Sequence, residues 1–499
     1  MLSVRKVKTK SGSTAVQVVQ YIGHKSNIIK HIGSGKDTDE VIALIQKAQE
    51  WIANQTKQLE LFPTNSKRVL FVDRGECLGV SHQFTKDFLD KCVEKCGLAY
   101  LPALLLDFAI MRLVEPASKL RTIELLNQYF GIQYSQRIYR NIPKLLSFKK
   151  QIENSAFELV RLEFKETFYF VLYDVTTLYF ETFKSDDLRV PGFSKDNKSQ
   201  QPQIVIGLLV TQEGFPLSYE VFAGNTFEGK TMLPVVYKFI ESHKGTKPIV
   251  IADAAMLDEE RLTELNKKEL SYIVGARLAN SKMSLVKQIQ TALNGNEKAF
   301  VRVNTKHGDL ICNFSQKRFK KETNELNRLV KKATDLVARQ STGKKAAFVK
   351  KVSKDVVELN VELIEKRKLL LGIKGYVTNI SEKNLSNENV IKYYHQLWRV
   401  EQSFRMSKHD LQTRPIYHYN DESVKSHVLI CFVALIIQKY LELKTGLSLR
   451  VIRDLIWNIT DTHIQDKLTK EIFTFRSPLT KLNDSPLSKL IKYWGDLPH

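Results

Sequence analysis

The sequence predicts an α/β fold whose central part is one mixed sheet. Three stretches rich in branched and aromatic residues follow one another without a helix between them: 168–173, 203–211 and 217–222. Helical spacing and strand-like runs then alternate, with helices at 230–243 and 257–268 and strands at 248–252 and 272–274. The order strand, strand, strand, helix, strand, helix, strand is that of an RNase H-like domain, in which the first and fourth strands lie side by side.

The composition is that of a basic protein with enough apolar residues for several cores. The 499 residues correspond to about three domains at roughly 150 residues each, and 43% of them are hydrophobic. Lys and Arg (76) exceed Asp and Glu (54), which leaves a formal charge of +22. This charge favours a polyanionic partner, with nucleic acid the first candidate. A basic soluble protein without such a partner has the same composition.

The five cysteines form neither a metal-binding nor a disulfide pattern. The one close pair, Cys92 and Cys96, has no matching Cys or His pair downstream, so we expect reduced thiols in a cytoplasmic environment. The N-terminus lacks the apolar segment of a signal peptide, and the longest apolar run, 428–437, is shorter than a membrane span. We therefore expect a soluble, cytoplasmic protein without a membrane partner. The apolar run at 428–437 is expected to form a buried core helix.

Two modules are predicted before the sheet. Residues 1–95 combine short apolar stretches with a helical Lys- and Gln-rich segment, which indicates a small α+β module. In residues 96–165 apolar residues recur at helical spacing, and Ser118 is placed to cap a helix. This region is a candidate helix-turn-helix reader of DNA, although a plain helical packing domain has the same pattern. Its basic positions are Lys119, Arg121, Arg137, Arg140 and Lys144.

A Lys-rich segment at 281–375 divides the sheet domain into a first part, 166–280, and a second part, 376–445. Residues 301–375 hold 19 Lys and Arg against eight acidic residues, which is half of the net charge of the chain. The middle of the segment, 318–368, has helical spacing and predicts a solvated pair of charged helices or, alternatively, a surface for phosphate contacts. Residues 446–499 are expected to form a helical tail.

Two aspartates are expected at the ends of neighbouring strands. Asp174 follows the first strand and Asp253 follows the fourth. Side by side, the two carboxylates repel each other unless a cation lies between them, and hard oxygen ligands of this type suit Mg²⁺ or Mn²⁺. An aspartate at a strand end is otherwise often a turn residue. The pair in this topology favours a metal site.

A predicted helix at 389–408 offers a third carboxylate, Glu401. Tyr394, Glu401 and Lys408 are seven residues apart, which returns to nearly the same helix face after about 700°. Leu397 and Phe404 flank this line and are expected to seat the helix on the sheet, with Glu401 facing the protein; an exposed Glu on an amphipathic helix is the alternative. Three carboxylates would hold two ions about 3.5–4 Å apart, which activate a water or a DNA 3′-hydroxyl for in-line displacement.

The same helix carries candidate DNA contacts. Lys408 is expected to meet a phosphate as a point charge, and Tyr394 to bond a phosphate oxygen or to stack. Further contacts are expected from Arg405, Trp398 and Arg399. A packing or solvent role is the alternative for each of these side chains.

Residues 394–408 resemble the signature helix of insertion-sequence transposases in the IS-four branch of the DDE superfamily, which reads Y-x2-R-x3-E-x6-K. Tyr394, Glu401 and Lys408 match this pattern, and Leu397 stands at its arginine position. The second-aspartate motif is similar to residues 253–256, where Ala255 replaces the usual glycine. Other stretches that resemble the family are 173–180, 222–226, 229–231, 414–418 and 427–428.

The resemblance implies a transposase with an RNase H-like catalytic domain, an insertion before the glutamate helix and a mainly helical N-terminal DNA-binding region. It implies Asp174, Asp253 and Glu401 as catalytic ligands of two Mg²⁺ or Mn²⁺ ions. The implied partners are double-stranded DNA, both the terminal inverted repeats of a bacterial insertion sequence and the target, and a second copy of the chain in a synaptic homodimer. A catalytically inactive or domesticated DNA-binding protein is one alternative, against which the intact acidic triad argues; a metal-dependent nuclease without strand transfer is another.

Overall fold

The computed structural model describes residues 2–22, 25–56, 72–164, 170–182, 184–193, 200–243, 246–254, 256, 259–339, 346–352, 356–414, 416, 418, 420–482 and 485–495. Ala255 lies outside the described residues, as do the predicted strand start at 168, the predicted helix start at 257, and residues 415 and 417 of a family-like stretch.

The elements fall into three groups along the chain. The first group comprises β1 (Leu2–Lys8), β2 (Thr14–Ile22), β3 (Lys25–Gly35), α1 (Thr38–Thr56), β4 (Gly75–Ser81), α2 (Gln83–Lys95), α3 (Ala103–Val114), α4 (Lys119–Phe130) and α5 (Lys149–Glu163). The second comprises β5 (Phe170–Tyr179), β6 (Gln203–Thr211), β7 (Pro216–Ala223), α6 (Met232–Ser242), β8 (Ile249–Ala252), α7 (Glu259–Lys267) and β9 (Tyr272–Ala276). The third comprises α8 (Met283–Leu293), β10 (Phe300–Thr305), β11 (Gly308–Phe314), α9 (Gln316–Ala338), β12 (Val349–Lys351), β13 (Val357–Leu359), α10 (Val361–Leu369), β14 (Ile373–Thr378), α11 (Asn387–His395), α12 (Trp398–Arg405), α13 (Asp421–Thr445), α14 (Leu449–Trp457), β15 (Asp461–Asp466), β16 (Ile472–Arg476) and α15 (Pro486–Trp494).

The central strands form one mixed sheet in the order β10-β11-β14-β9-β8-β5-β6-β7. β5 is antiparallel to β6 and parallel to β8, so the first and fourth predicted strands lie side by side as expected. Every residue of β6 is buried, which requires packing on both faces of the sheet. The helices that pack against these strands include α5, α6, α12 and α13. The mixed α/β fold class is thereby confirmed.

The predicted end of the first strand is wrong. Asp174 does not end β5, which continues through Tyr179 and pairs with β6 over this whole extension. The extension is apolar or β-branched from Val175 to Leu178 and is buried there, so it has the composition and the environment of a sheet interior. Asp174 therefore projects from within a strand and not from a turn.

The Lys-rich segment extends the sheet as well as adding helices. β10 and β11 form an antiparallel pair, and β11 continues the sheet by pairing with β14. α9 and α10 agree with the predicted pair of charged helices, and β12 and β13 form a short hairpin between them. The segment thus forms one edge of the central sheet.

The two ends of the chain meet in a small sheet. β1, β2 and β3 form an antiparallel sheet on which α1 packs, in agreement with an α+β module. The prediction of a helical tail after residue 446 is wrong, because β15 pairs with β16 on one side and with β4 on the other. This pairing joins segments far apart in sequence, which local patterns do not predict.

The helical region before the sheet shares its core with the sheet. Buried residues of α2 to α5, β5 to β9 and α11 to α15 belong to one continuous apolar cluster. Ser118 caps α4 as predicted, by accepting a hydrogen bond from the Arg121 amide. Lys119, one of the basic positions of the candidate DNA reader, is buried, with 5% exposure. These observations favour the packing interpretation of this region, and the domain boundaries stay predictions.

α13 contains the longest apolar run. It is the one described helix long and apolar enough to cross a membrane by length and composition, but 94% of its most apolar 18-residue window is buried inside the protein. Such burial is that of a core helix, as predicted for residues 428–437.

Candidate active site

The two aspartates occupy neighbouring positions on adjacent parallel strands. The last paired residues of β5 and β8 are Tyr173 and Ala252, and the next residue in each strand direction is an aspartate, Asp174 or Asp253. Neighbouring strands are about 4.8 Å apart. Asp174 is half-buried and Asp253 is exposed. The fold therefore brings these two sequence-predicted carboxylates side by side, one within β5 and one directly after β8.

A buried tyrosine holds the carboxylate of Asp253. Tyr394 is 4% exposed, and its hydroxyl donates a 2.9 Å hydrogen bond to Asp253 Oδ1, which also accepts one from the Ala254 amide at 2.8 Å. Burial raises the pKa of Tyr394, and the negative charges of Asp253 and Asp174 raise it further. The phenol therefore stays protonated and remains a donor. In this structure Tyr394 lies beneath a carboxylate, and not at the surface where a direct phosphate contact was expected.

A glycine makes room for this tyrosine. A Cβ at Gly275, on β9, would lie 2.6 Å from the Tyr394 hydroxyl oxygen and 3.2 Å from the Cβ of Ala254. Neither distance is compatible with an ordinary contact, because non-bonded heavy atoms pack at about 3.5–4 Å. The absence of a side chain at Gly275 is thus a steric condition for the bond between Tyr394 and Asp253.

Glu401 lies on a helix that is interrupted on both sides. The predicted continuous helix at 389–408 is wrong: α11 ends at His395, a turn at Gln396 and Leu397 follows, and α12 leads into a π-helical turn at Met406–Asp410. The seven-residue spacing of Tyr394, Glu401 and Lys408 therefore does not put the three on one helix face. Glu401 is exposed, against the prediction that it faces the protein, while Leu397 and Phe404 are buried as expected.

The opposite face of α12 is fixed to the turn between β6 and β7. Ser403 is fully buried and donates a 3.0 Å hydrogen bond to the Gly214 carbonyl, and Arg399 forms a 3.0 Å ion pair with Glu213. At about 100° per residue, Glu401 points away from both Arg399 and Ser403. Arg399, a candidate DNA contact, is therefore engaged with Glu213 in this structure.

Lys374 is a basic residue of the site that sequence reasoning missed. It lies on β14, with Nζ 4.5 Å from the centre of the Tyr394 ring. Burial lowers the pKa of Lys374, and the positive charge of Arg318 adds to this effect. The carboxylates of Asp253 and Glu401 both act in the opposite direction. Electrostatic interactions weaken with distance, so Lys374 lies near enough to Asp253 and to Glu401 for both carboxylates to act on its charge.

The carboxylates do not form a complete metal site. Within the described residues, no three His, Cys, Asp or Glu side chains are grouped so that they could hold a metal ion. The donors themselves fit a hard divalent cation, because adjacent carboxylates repel each other and oxygen ligands suit Mg²⁺. The convergence of all three acids stays a prediction.

A cavity of about 300 Å³ opens beside Asp253 and has a basic lining. It is lined by Asp253 and Tyr394 together with the basic residues Arg277, Arg318, Arg367 and Lys374. Three of these basic residues belong to the Lys-rich segment: Arg318, Arg367 and Lys374. The sequence shows that this segment is basic, but it does not show which of its residues face the aspartates. A cavity of this charge is suited to phosphate groups.

The remaining candidate DNA contacts lie around α12. Trp398 and Arg405 are exposed. Lys408 is half-buried in the π-helical turn and lines a small cavity beside Thr176 and Phe404. The structure brings Lys408 against the outer half of β5, and its contact with DNA stays a prediction.

Comparison with known proteins finds a family model that matches this chain. A family model described as "Transposase DDE domain" matches residues 168–437, which is more than half of the chain. A search of curated proteins finds no significant match. Among solved structures, a piggyBac transposase synaptic complex with hairpin DNA has 11% sequence identity and a TM-score of 0.35, with 82% of this chain and 75% of that chain covered.

Proposed function

The chain belongs to the DDE transposase family, and we propose that its DNA-cleaving and strand-transferring site consists of Asp174, Asp253 and Glu401. The observation that carries this proposal is the register of β5 and β8, which sets two carboxylates side by side within the matched region. A carboxylate pair of this kind does not stabilise the fold by itself, because two like charges in proximity repel each other.

We propose that Asp174 and Asp253 form the prebuilt half of a divalent metal site and that Glu401 completes it when DNA and metal are bound. Transposases of this family generally use divalent metal ions, and Mg²⁺ or Mn²⁺, as two ions, suits these ligands. When bound, such ions supply a nucleophilic hydroxyl at neutral pH and neutralise charge on the reacting phosphate.

The side chains around the carboxylates have separate tasks in this proposal. Tyr394 holds Asp253 in one orientation through its hydroxyl, as partners of metal ligands commonly do. Lys374 and Arg318 offer positive charge to a phosphate in the adjoining cavity. Lys408, Arg405 and Trp398, which lie on or after the same helix, are proposed as further backbone contacts.

Several finer assignments belong to the same proposal. We propose an RNase H-like catalytic domain in the IS-four-like branch of the superfamily, because the sheet order places β5 between β6 and β8 and the Y-x2-R-x3-E-x6-K pattern matches at three positions. The proposed substrates are terminal inverted repeats and a target duplex, handled by a synaptic homodimer in the cytoplasm, with a contribution to DNA binding from the N-terminal region.

A plasmid assay tests this proposal. The purified chain is incubated in Mg²⁺ with a plasmid that carries the DNA flanking its own gene, and both the cut ends and their transfer into a second plasmid are mapped. We expect Asp174→Asn and Glu401→Gln to bind the DNA and to lose cutting by at least a hundredfold. Glu388→Gln, which changes an exposed carboxylate on α11, is the matched control and should cut normally.

The outcomes separate the alternatives. Undiminished cutting by Glu401→Gln would remove that residue from the site. Cutting without any transfer of the labelled end would favour a metal-dependent nuclease. DNA binding with no cutting by the wild-type chain would favour an inactive or domesticated DNA-binding protein.

A further inference from the structure

A second cavity, of about 380 Å³, lies at the N-terminus of α4 and shares no lining residue with the cavity beside Asp253. Four basic side chains from different elements line it: Arg112 from α3, Lys119 from α4, His427 from α13, and His418 from the segment before α13. This arrangement gathers basic side chains from distant parts of the sequence around one space. None of these residues has a role in the proposed catalytic site.

Three of these four side chains are buried. Arg112 is 8% exposed, Lys119 is 5% exposed and His427 is 3% exposed. Arg112 donates hydrogen bonds to the carbonyls of Gln412, at 3.3 Å, and Leu411, at 3.5 Å, and so reaches neutral acceptors. Among the described residues, no carboxylate forms an ion pair with any of the four. The cluster is therefore cationic and lacks a protein counter-charge in the described part of the chain.

The pKa values agree with this lack of a counter-charge. Burial and the positive charge of Arg112 lower the pKa of Lys119 to about 7. Burial, Lys119 and Arg112 lower the pKa of His418 to about 4. An arginine in proteins cannot release its proton, so Arg112 stays charged in a poorly hydrated place. A buried charge without a partner is costly, and a bound anion removes that cost.

Two more features supply hydrogen-bonding groups for a phosphate. Ser118, Lys119 and Leu120, at the start of α4, line the cavity, and the first amides of a helix have no acceptor within the helix and carry partial positive charge. His427 Nε2 donates to the Thr413 carbonyl at 2.9 Å, so its buried Nδ1, which has no hydrogen-bond partner within the described structure, is an acceptor that suits a protonated phosphate oxygen. Guanidinium, ammonium and helix amides thus converge from several directions.

We propose that this cavity binds a phosphate group. Its donors come from three helices, which suits a tetrahedral anion with several acceptor oxygens better than a flat carboxylate. Its volume is at the small end of the range for ligand sites, about 300–1,000 Å³, and admits a phosphate with a small attached group. The phosphate comes either from the backbone of bound DNA or from a free phosphate compound. The assignment does not depend on catalysis by Asp174, Asp253 and Glu401.

Calorimetric titration of the full chain with inorganic phosphate, at constant ionic strength in chloride, tests the site. The wild-type chain is expected to bind phosphate saturably, with an affinity that falls at least tenfold in Lys119→Met. Arg121→Met is the matched control, because Arg121 is exposed and pairs with Glu124 three residues further along α4; it should bind as the wild type does. Absence of saturable binding to the wild-type chain, or equal binding by Lys119→Met, overturns the proposal.

Thermal unfolding distinguishes an anion site from a structural lysine. Without phosphate, Lys119→Met is expected to melt at a higher temperature than the wild type, because it removes an unpaired buried amine. With saturating phosphate the wild type is expected to gain more than the variant. If Lys119→Met does not fold, His427→Gln takes its place in the titration, and equal phosphate binding by this variant and the wild type overturns the proposal.

Competition identifies the source of the phosphate. A duplex from the DNA that flanks the gene is bound first, and inorganic phosphate is then titrated. Loss of the phosphate signal, together with weaker duplex binding by Lys119→Met than by Arg121→Met, assigns the site to a DNA backbone phosphate. An unchanged phosphate signal assigns it to a free phosphate compound.

Discussion

The hydroxyl of Tyr394 donates a hydrogen bond to Oδ1 of Asp253 at 2.9 Å. This bond joins α11 to the residue that follows β8, and it comes from a phenol that burial keeps protonated. One oxygen of Asp253 is thereby committed, and the orientation of the carboxylate is set before any ligand arrives.

Tyr394→Phe is expected to reduce Mg²⁺-dependent cutting by about 10- to 100-fold, the usual effect of removing a group that orients a metal ligand. The fold should be retained, because the aromatic ring and its packing remain. Plasmid cutting as a function of Mg²⁺ concentration measures the change, and the loss should be partly recovered at high Mg²⁺. Tyr393→Phe is the control, since the Tyr393 ring stacks on Phe170 at 4.0 Å. An equal loss in both variants would contradict a special role for Tyr394.

Gly275→Ala is expected to act through Tyr394. The new methyl group would lie 2.6 Å from the Tyr394 hydroxyl oxygen, so the tyrosine must move away from Asp253, and overpacking of this kind costs about 1–3 kcal/mol. Urea unfolding measures the loss of stability. In a Tyr394→Phe background the same change should cost clearly less, because the clashing oxygen is gone. Equal costs in the two backgrounds would show that the clash with Tyr394 does not matter.

Lys374→Met is expected to separate metal binding from DNA binding. Lys374 interacts with Asp253 and Glu401, so its removal takes away a competing cation and should raise Mg²⁺ affinity about two- to fivefold. It also removes a positive charge from the cavity beside Asp253, which should weaken DNA binding. The slope of the logarithm of the DNA-binding constant against the logarithm of the salt concentration should become less steep by about one. Metal titration and DNA binding at several salt concentrations measure both effects. Lys392→Met, at an exposed position on α11, should change neither quantity.

Acid is expected to destabilise the chain through His427. Burial holds its pKa well below 6.5, and Arg112, Lys119 and His418 lower it further, while the Thr413 carbonyl opposes them. The folded state therefore keeps His427 neutral where the unfolded state takes up a proton, so stability is present above pH 6.5 and falls below it. The slope is up to about 1.4 kcal/mol per pH unit.

Urea unfolding between pH 7 and pH 5 measures this slope. His427→Gln should flatten it, whereas His409→Gln, at an exposed position after α12, should leave it unchanged. A slope that is the same in the wild type and in His427→Gln would assign the acid sensitivity to other groups.

Local patterns predicted the strands β5 to β9 of the central sheet but not β10 and β11. β6 was predicted to the residue, and β7, β8 and β9 within two residues at each end, because buried strands have continuous branched and aromatic runs that end at turn residues. The extension of β5 past Asp174 escaped the prediction, since an aspartate within a strand has the same local pattern as an aspartate after one.

The site was predicted only in part. Asp174 and Asp253 follow from strand order, which the sequence contains. The break at Gln396 and Leu397 and the π-helical turn at 406–410 have no breaker residue such as proline or glycine, so a continuous helix was predicted there. Lys374 was missed because only the pairing of β14 with β9 places it near Asp253, and such pairing is non-local.

The partnership of β4 with β15 determines when this protein can finish folding. Among the described strands β4 pairs with β15 alone, so during synthesis its backbone groups stay in water until residues 461–466 have left the ribosome. The turn after β15 also accepts a hydrogen bond from Lys47 of α1, at the carbonyl of Thr469. A nascent chain that stalls before β15 presents an open strand edge, which is a template for aggregation.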